Sequence, residues 1–200
     1  ELLLAKDAEI RSVHGLALQV VGIGTGSHGA ALDPEGLDLG RALELIRSGG
    51  DLRQLSRRPP PSDLHQLLQA VQAEAVLESI PVNYESGQPA IGYLTRALER
   101  GMHAITANKG PVVHAFAPLT ALAARHGRHF RFEAAVMDGA PLFSLWRECL
   151  PAARLESFRG ILNSTTNLIL SLMERGESFV AALAEAQRLG LAESDPSGDV

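Results

Sequence analysis

The chain has 200 residues, 46% hydrophobic and 20% charged, which is ordinary for a globular protein with room for one domain or for one and part of a second. A formal net charge of -5 excludes a general binder of nucleic acid or anionic membranes, since both need clustered positive charge. A lone cysteine, Cys149, excludes an intrachain disulfide framework and suits a reducing cytoplasm, and no apolar run reaches the length of a membrane span.

In chain order, Glu1 to Lys6 reads as the last turn of a helix and lacks the layout of a secretory signal. Gly15 to Gly22 carries Leu16, Leu18, Val20 and Val21 between glycines, the pattern of a buried strand. Asp38 is a good N-cap for a helix with Leu39, Ala42, Leu43 and Ile46 at helical spacing, stopped by Gly49 and Gly50. Arg57 and Arg58 run into Pro59, Pro60 and Pro61, which reads as a solvated linker. Ser62 then caps a helix with Leu64, Leu67, Leu68 and Val71 on one face.

Ala75 to Ile80 reads as a strand, followed by a polar turn and a helix from Pro89 with Ile91, Leu94 and Leu98 buried and Gly101 at its end. His103 to Thr106 is a strand, Val113 to His126 a helix around Pro118, and His129 to Val136 another strand. This alternation predicts right-handed βαβ crossovers and an α/β fold whose parallel sheet is covered on both faces. Beyond about Asp138 the spacing changes. A helix near Leu142 to Leu150, a strand at Leu155 to Ile161 and helices ending at Arg175 and Gly190 read as the beginning of an α+β domain.

Four segments carry candidate chemistry. Gly24-Thr25-Gly26-Ser27-His28-Gly29 satisfies G-x-G-x-x-G, whose glycines let a pyrophosphate approach a helix N-terminus. Asp33-Pro34-Glu35-Gly36 interrupts before such a helix can form. Two further readings therefore stand beside the fingerprint: Thr25, Ser27 and His28 donate to a ribose 2'-phosphate, or the loop is a surface turn. Thr106-Ala107-Asn108-Lys109-Gly110-Pro111 sets a lysine just past a strand, where parallel sheets present ligands. Such a lysine can hold a carboxylate or carbonyl oxygen, or be an ordinary exposed turn residue. Gly160 to Asn167 places consecutive polar side chains before an apolar helix, more than N-capping by Ser164 or Thr165 needs. Gly190 to Asp199 gathers Glu193, Asp195 and Asp199 after a helix end, as acceptors for an ammonium or hydroxyl or as a solvated acidic loop.

In this order and spacing, Ala107-Asn108-Lys109-Gly110-Pro111, Gly160 to Asn167 and Gly190 to Asp199 resemble the motifs of homoserine dehydrogenase, with weaker similarity over most of the chain. The resemblance implies an NADP- or NAD-dependent cytoplasmic enzyme of threonine and methionine biosynthesis. It would interconvert L-homoserine and L-aspartate 4-semialdehyde and assemble as a homodimer or larger homo-oligomer. It implies a Rossmann-type, doubly wound dinucleotide-binding domain over residues 1–138, without its first strand. The start of the substrate and catalytic domain would occupy residues 139–200. By the same resemblance Lys109 touches cofactor and substrate as the catalytic lysine of this stretch. Ile80 and Gly190 lie along the cofactor, and Glu193 and Asp199 bind substrate. Glu133, Val136, Asp138 and Ala140 are similar to a sodium site made largely of backbone carbonyls.

This sequence departs from the family at Ser164, where a glycine is usual, and at Met137-Asp138, where glycines are usual. The family's glycine fingerprint and its proton-relaying lysine with a neighbouring aspartate are expected before Glu1 and after Val200. Both ends thus read as interior to a longer protein, and the 200 residues alone are expected not to turn over. Two competing readings are another NAD(P) oxidoreductase of similar layout and a non-catalytic nucleotide-binding module.

Overall fold

A computed structural model describes residues 1–57, 59–137, 140–161 and 163–192. Helix α1 (Leu2–His14) runs well past Lys6 and ends at Gly15, whose φ of 65° provides a left-handed cap. The strand expected over residues 15–22 begins only at Gly22. Leu16 and Leu18 have no neighbouring ladder among the described residues and stay exposed. Val20 and Val21 give their carbonyls to the amides of Leu37 and Asp33 instead. β1 (Gly22–Gly24) pairs antiparallel with β2 (Ala30–Leu32), in register Gly22↔Leu32 and Gly24↔Ala30. β2 was not evident in the sequence. It exists because the glycine-rich turn folds the chain back on itself.

Helix α2 (Leu39–Arg47) is capped by Asp38, which accepts from the Arg41 amide, and buries Ala42 and Leu45. Ala42 packs with Ala31, Leu37 and Leu52, the last from a 3-10 turn at Leu52–Leu55. Helix α3 (Leu64–Ala70) is capped by Asp63, not Ser62; the Ser62 hydroxyl donates to the capping carboxylate.

The sheet that follows is parallel, ordered β3 (Ala75–Glu78), β4 (His103–Thr106), β5 (Phe130–Arg131), with register Ala75↔His103 and Ala104↔Phe130. Helices α4 (Ala90–Glu99) and α5 (Lys109–Arg125) make the crossovers. Their Leu94, Leu98, Leu119 and Leu122 form one core with Ala104 and Phe130. Crossovers of one hand between strands added in one direction fall on the same face of a sheet. The opposite face, where Leu77 pairs with Ile105, stays 73% and 38% exposed at those residues. Among the described residues this sheet is therefore covered on one face, not two.

Helix α5 begins at Lys109 rather than Val113 and is kinked at Ala115 (φ -142°, ψ 24°). Pro118 thereby falls in the first turn of the second segment, where a missing N–H needs no partner. β5 stops at Arg131, short of Val136. Phe132 packs its ring against Phe116, Phe130 and Phe143, and the chain turns into a 3-10 helix at Glu133–Ala135.

Glu1–Leu145 and Trp146–Val200 form separate compact units. Helix α6 (Leu142–Ser144) continues as a π-helical stretch, Leu145–Cys149. The strand expected at 155–161 does not form; Leu155, Phe158 and Ile161 are exposed and no described strand lies beside them. Helix α7 (Ser164–Glu174) is capped by Asn163, not Ser164 or Thr165, and helix α8 (Phe179–Arg188) by Ser178. Ile169 packs on Ala182, Ala186 and Ala192 between them. The whole is a mixed α/β protein with a small parallel sheet, and no described helix is long and apolar enough to cross a membrane.

Candidate functional site

The C-terminal ends of β3 and β4 lie side by side because the strands are parallel and in register, Glu78 opposite Thr106. Both side chains point into the protein, 6% and 1% exposed. The Thr106 hydroxyl donates to Glu78 Oε2 at 2.5 Å, and Glu78 Oε1 accepts the Ile80 N–H at 2.8 Å and the Asn108 side-chain amide at 3.3 Å. Asn108, 5% exposed, also donates Nδ2 to the Ile80 carbonyl at 3.2 Å and, as the cap of α5, accepts the Gly110 N–H at 2.9 Å. Every buried side-chain polar atom among the described residues has a partner.

This network sets Lys109 as the first residue of α5, exposed at the helix's positive end. Lys109 makes no ion pair with a described residue. An exposed ammonium over the N-terminal amides of a helix is an arrangement that attracts an anionic group. Beneath it Gly110 packs directly on Gly87: a Cβ at Gly110 would stand 2.9 Å from the Gly87 Cα and 3.2 Å from the Asn83 carbonyl oxygen. The two loops meet backbone to backbone. The N–H of Ile80 is committed to Glu78, while its carbonyl keeps a second lone pair beyond the bond from Asn108.

Thr25 and Ile80 line one groove of about 800 Å³, which runs past Gly22 to Gly26, along β3 and over Ser79 and Pro81. The turn from Thr25 to Gly29 closes by a Thr25 N–H bond to the Gly29 carbonyl, and Gly29 takes φ 75°. The Thr25 hydroxyl accepts the His28 N–H, and Ser27 Oγ lies 2.8 Å from His28 Nδ1. Behind the turn, the Arg53 guanidinium donates to Asp51 and holds its carboxyl below the usual range. Ser27 and His28 do not line the groove.

The remaining expected residues fall elsewhere. Glu133 accepts the amides of Phe143 and Ser144 and the Ser144 hydroxyl, so its carboxylate caps the start of α6. Beyond Val136, Met137 takes φ 59° and its carbonyl accepts the Ala140 N–H. Among the described residues no cluster of histidine, cysteine or carboxylate side chains could hold a metal ion. Gly190, at φ 70°, ends α8 in the second unit, where the Thr165 hydroxyl donates to the Leu191 carbonyl at 2.7 Å. Asp138, Glu193 and Asp199 lie outside the described residues. Glu78, Thr106 and the capping role of Asn108 were missed from the sequence. The available signal was an acid at the end of an apolar strand, where a hydrophobic residue is the norm.

The family model described as homoserine dehydrogenase matches residues 141–200. Homoserine dehydrogenase from Methanocaldococcus jannaschii is 39% identical over 177 residues, covering 88% of this chain and 53% of that protein. The NAD(+)-dependent homoserine dehydrogenase of Pseudomonas canavaninivorans is 34% identical over 200 residues, covering all of this chain and 57% of that one. The structure of a hyperthermophilic archaeal homoserine dehydrogenase in complex with NADPH superposes with a TM-score of 0.81 at 27% identity, over 99% of this chain and 60% of that chain. The chain thus spans about half the length of the curated relatives it matches. Two relatives aligned across both units, and a family model matching residues 141–200, show that the chain is similar to homoserine dehydrogenases over most of its length.

Proposed function

We propose that this chain serves an NADP- or NAD-dependent homoserine dehydrogenase that interconverts L-homoserine and L-aspartate 4-semialdehyde in a cytoplasmic homo-oligomer. The observation that carries the reading is Lys109 at the head of α5, one residue beyond an Asn108 bonded to Ile80. In this reading residues 1–138 are the Rossmann-type dinucleotide-binding part and residues 139–200 begin the substrate domain. The groove past Thr25 and Ile80 has the volume and the glycine-rich wall that an extended dinucleotide requires.

The bound nicotinamide supplies and accepts the hydride. Thr25 lines the adenosine end of the groove, and Ser27 and His28 stand in the turn beyond it, where a 2'-phosphate reaching out of the groove would meet hydroxyl and imidazole donors. Ile80 lies along the nicotinamide end through its carbonyl, and Gly190 lies close to the cofactor. Lys109 orients the substrate by charge-assisted hydrogen bonds, and Glu193 and Asp199 hold its hydroxyl and ammonium. A sodium ion held by backbone oxygens of Glu133, Val136 and Ala140 with Asp138 belongs to the same reading, with the Glu133 carboxylate serving as a helix cap.

The test is a spectrophotometric assay of the complete protein for homoserine-dependent reduction of NADP and of NAD. Reduction is expected, and Lys109→Met lowers kcat/KM by about a hundredfold or more without lowering the melting temperature. NADPH binding with no oxidation of homoserine would replace this reading with a binding module. Oxidation of a different alcohol would make the protein another oxidoreductase.

A further inference from the structure

We propose that Glu78 is a positioning residue: its buried carboxylate locks the loop after β3 to the first turn of α5 and so fixes Lys109 against the Ile80 segment. The proposal rests on the functional reading above for the roles of Lys109 and Ile80, and on geometry alone for the coupling between them.

A carboxylate buried at the end of a strand, where a leucine would pack, is unfavourable in itself. What it does that leucine cannot is gather donors from separate chain segments. Oε1 takes the Ile80 N–H from its own loop and the Asn108 amide from the neighbouring one; Oε2 takes the Thr106 hydroxyl from β4. Thr106 passes the constraint on, because its oxygen accepts the Asn108 N–H at 2.9 Å while its proton goes to Glu78. Asn108 passes it further, with Nδ2 on Glu78 and on the Ile80 carbonyl and Oδ1 on the Gly110 N–H. Both polar backbone groups of Ile80 and the cap of α5 thereby hang on one carboxylate and its two connectors.

The consequence is mechanical. Loop 79–87 and the segment 107–111 that enters α5 cannot shift independently, since they are tied through Glu78 on one side and pressed together at Gly87 and Gly110 on the other. A reacting pair held by two loops depends on their separation, and a displacement of about 1 Å can lower a rate by about a hundredfold. Glu78 touches neither partner in this scheme; it acts through Thr106 and Asn108.

The experiment uses the complete protein with Glu78→Gln, Thr106→Val and Thr106→Ser. Amide hydrogen exchange is followed at Ile80 and Gly110, beside steady-state kinetics with homoserine and NADPH binding by nicotinamide fluorescence. Glu78→Gln and Thr106→Val are expected to speed exchange at both amides together and to lower kcat by about tenfold or more. The KM for homoserine and the Kd for NADPH stay within about threefold, and Thr106→Ser, which restores the hydroxyl, returns kcat to within about threefold of the parent. Faster exchange at Ile80 alone, or an unchanged kcat in variants whose exchange is altered, overturns the proposal. If Glu78→Gln does not fold, Thr106→Val decides by the same two readouts. If the parent protein itself does not oxidise homoserine, the functional reading fails, and the exchange at Ile80 and Gly110 still decides the coupling.

Discussion

Gly110 shows how one residue fixes the distance between two loops. The backbones of residues 87 and 110 are in contact, and a Cβ at Gly110 would stand 2.9 Å from Gly87 Cα and 3.2 Å from both Asn83 O and Asn108 Oδ1. The nearest of these is a backbone atom, so a methyl group must push a backbone aside. Gly110→Ala is expected to destabilise the protein by about 1–3 kcal/mol. Urea unfolding with an unchanged m-value would report it, and a midpoint equal to the parent's would mean that the loops have slack. At this scale Lys109 was legible, because a lysine just past a short strand in Ala-Asn-Lys-Gly-Pro is a recognisable pattern. Glu78 was not. The order Ala75-Val76-Leu77-Glu78 marks an acid at the end of an apolar strand, but whether it turns inward depends on Thr106 and Asn108 arriving from residues far along the chain.

The starts of α2, α3 and α4 were legible in the sequence, while α5 begins at Lys109 rather than Val113 and the capping residue is not always the expected one. In α2 the expected Asp38 caps, but in α3 Asp63 replaces Ser62 and in α7 Asn163 replaces Ser164 or Thr165. Each segment offers several polar residues within hydrogen-bond reach of the first turn, and the capping one is whichever backbone is extended at that point. Asp63 carries a pH prediction. The Gln66 amide donates to its carboxylate and holds its pKa below the ordinary value. With the folded-state pKa depressed, the charged cap's contribution is full above the unfolded carboxyl pKa of roughly 3.9 and lost as pH falls through the folded value. Asp63→Asn keeps an uncharged cap, so the parent's advantage in melting temperature over this variant should narrow as pH drops from 7 to 3. A gap that does not change with pH would mean that the charge does nothing at this helix. The kink in α5 belongs here too: Pro118 was visible in the sequence, while the non-helical Ala115 that accommodates it was not.

For the molecule as a whole, the irregular stretch early in the second unit is the point of weakness. Residues 150–161 are exposed and form neither helix nor strand, and Arg154 and Arg159 lie within them. Limited trypsin digestion is expected to cut first at one of these arginines, since exposed irregular backbone fits a protease site most easily. A first cut at Arg57 would contradict this; that side chain is held 3.0 Å from the buried Asp33.

By itself the sequence determined the alternation of strand and helix from Ala75 onward, the start of α2 and the three motifs that carry the family, since each is written in neighbouring residues or in a helical repeat. It did not determine the strands at either end of that alternation. The apolar runs at 15–22 and 155–161 have strand composition, yet a strand exists only where another lies beside it to take its hydrogen bonds. The tertiary structure decided that the glycine-rich segment turns a hairpin. It also decided that both crossovers fall on one face, leaving Leu77 and Ile105 on the other, and that Glu78 joins the loops around Lys109. The physical reason is the same in each case: ladder pairing, the side of a crossover and a buried polar network are properties of residues distant in sequence. Local pattern specifies only what neighbours along the chain can do for one another.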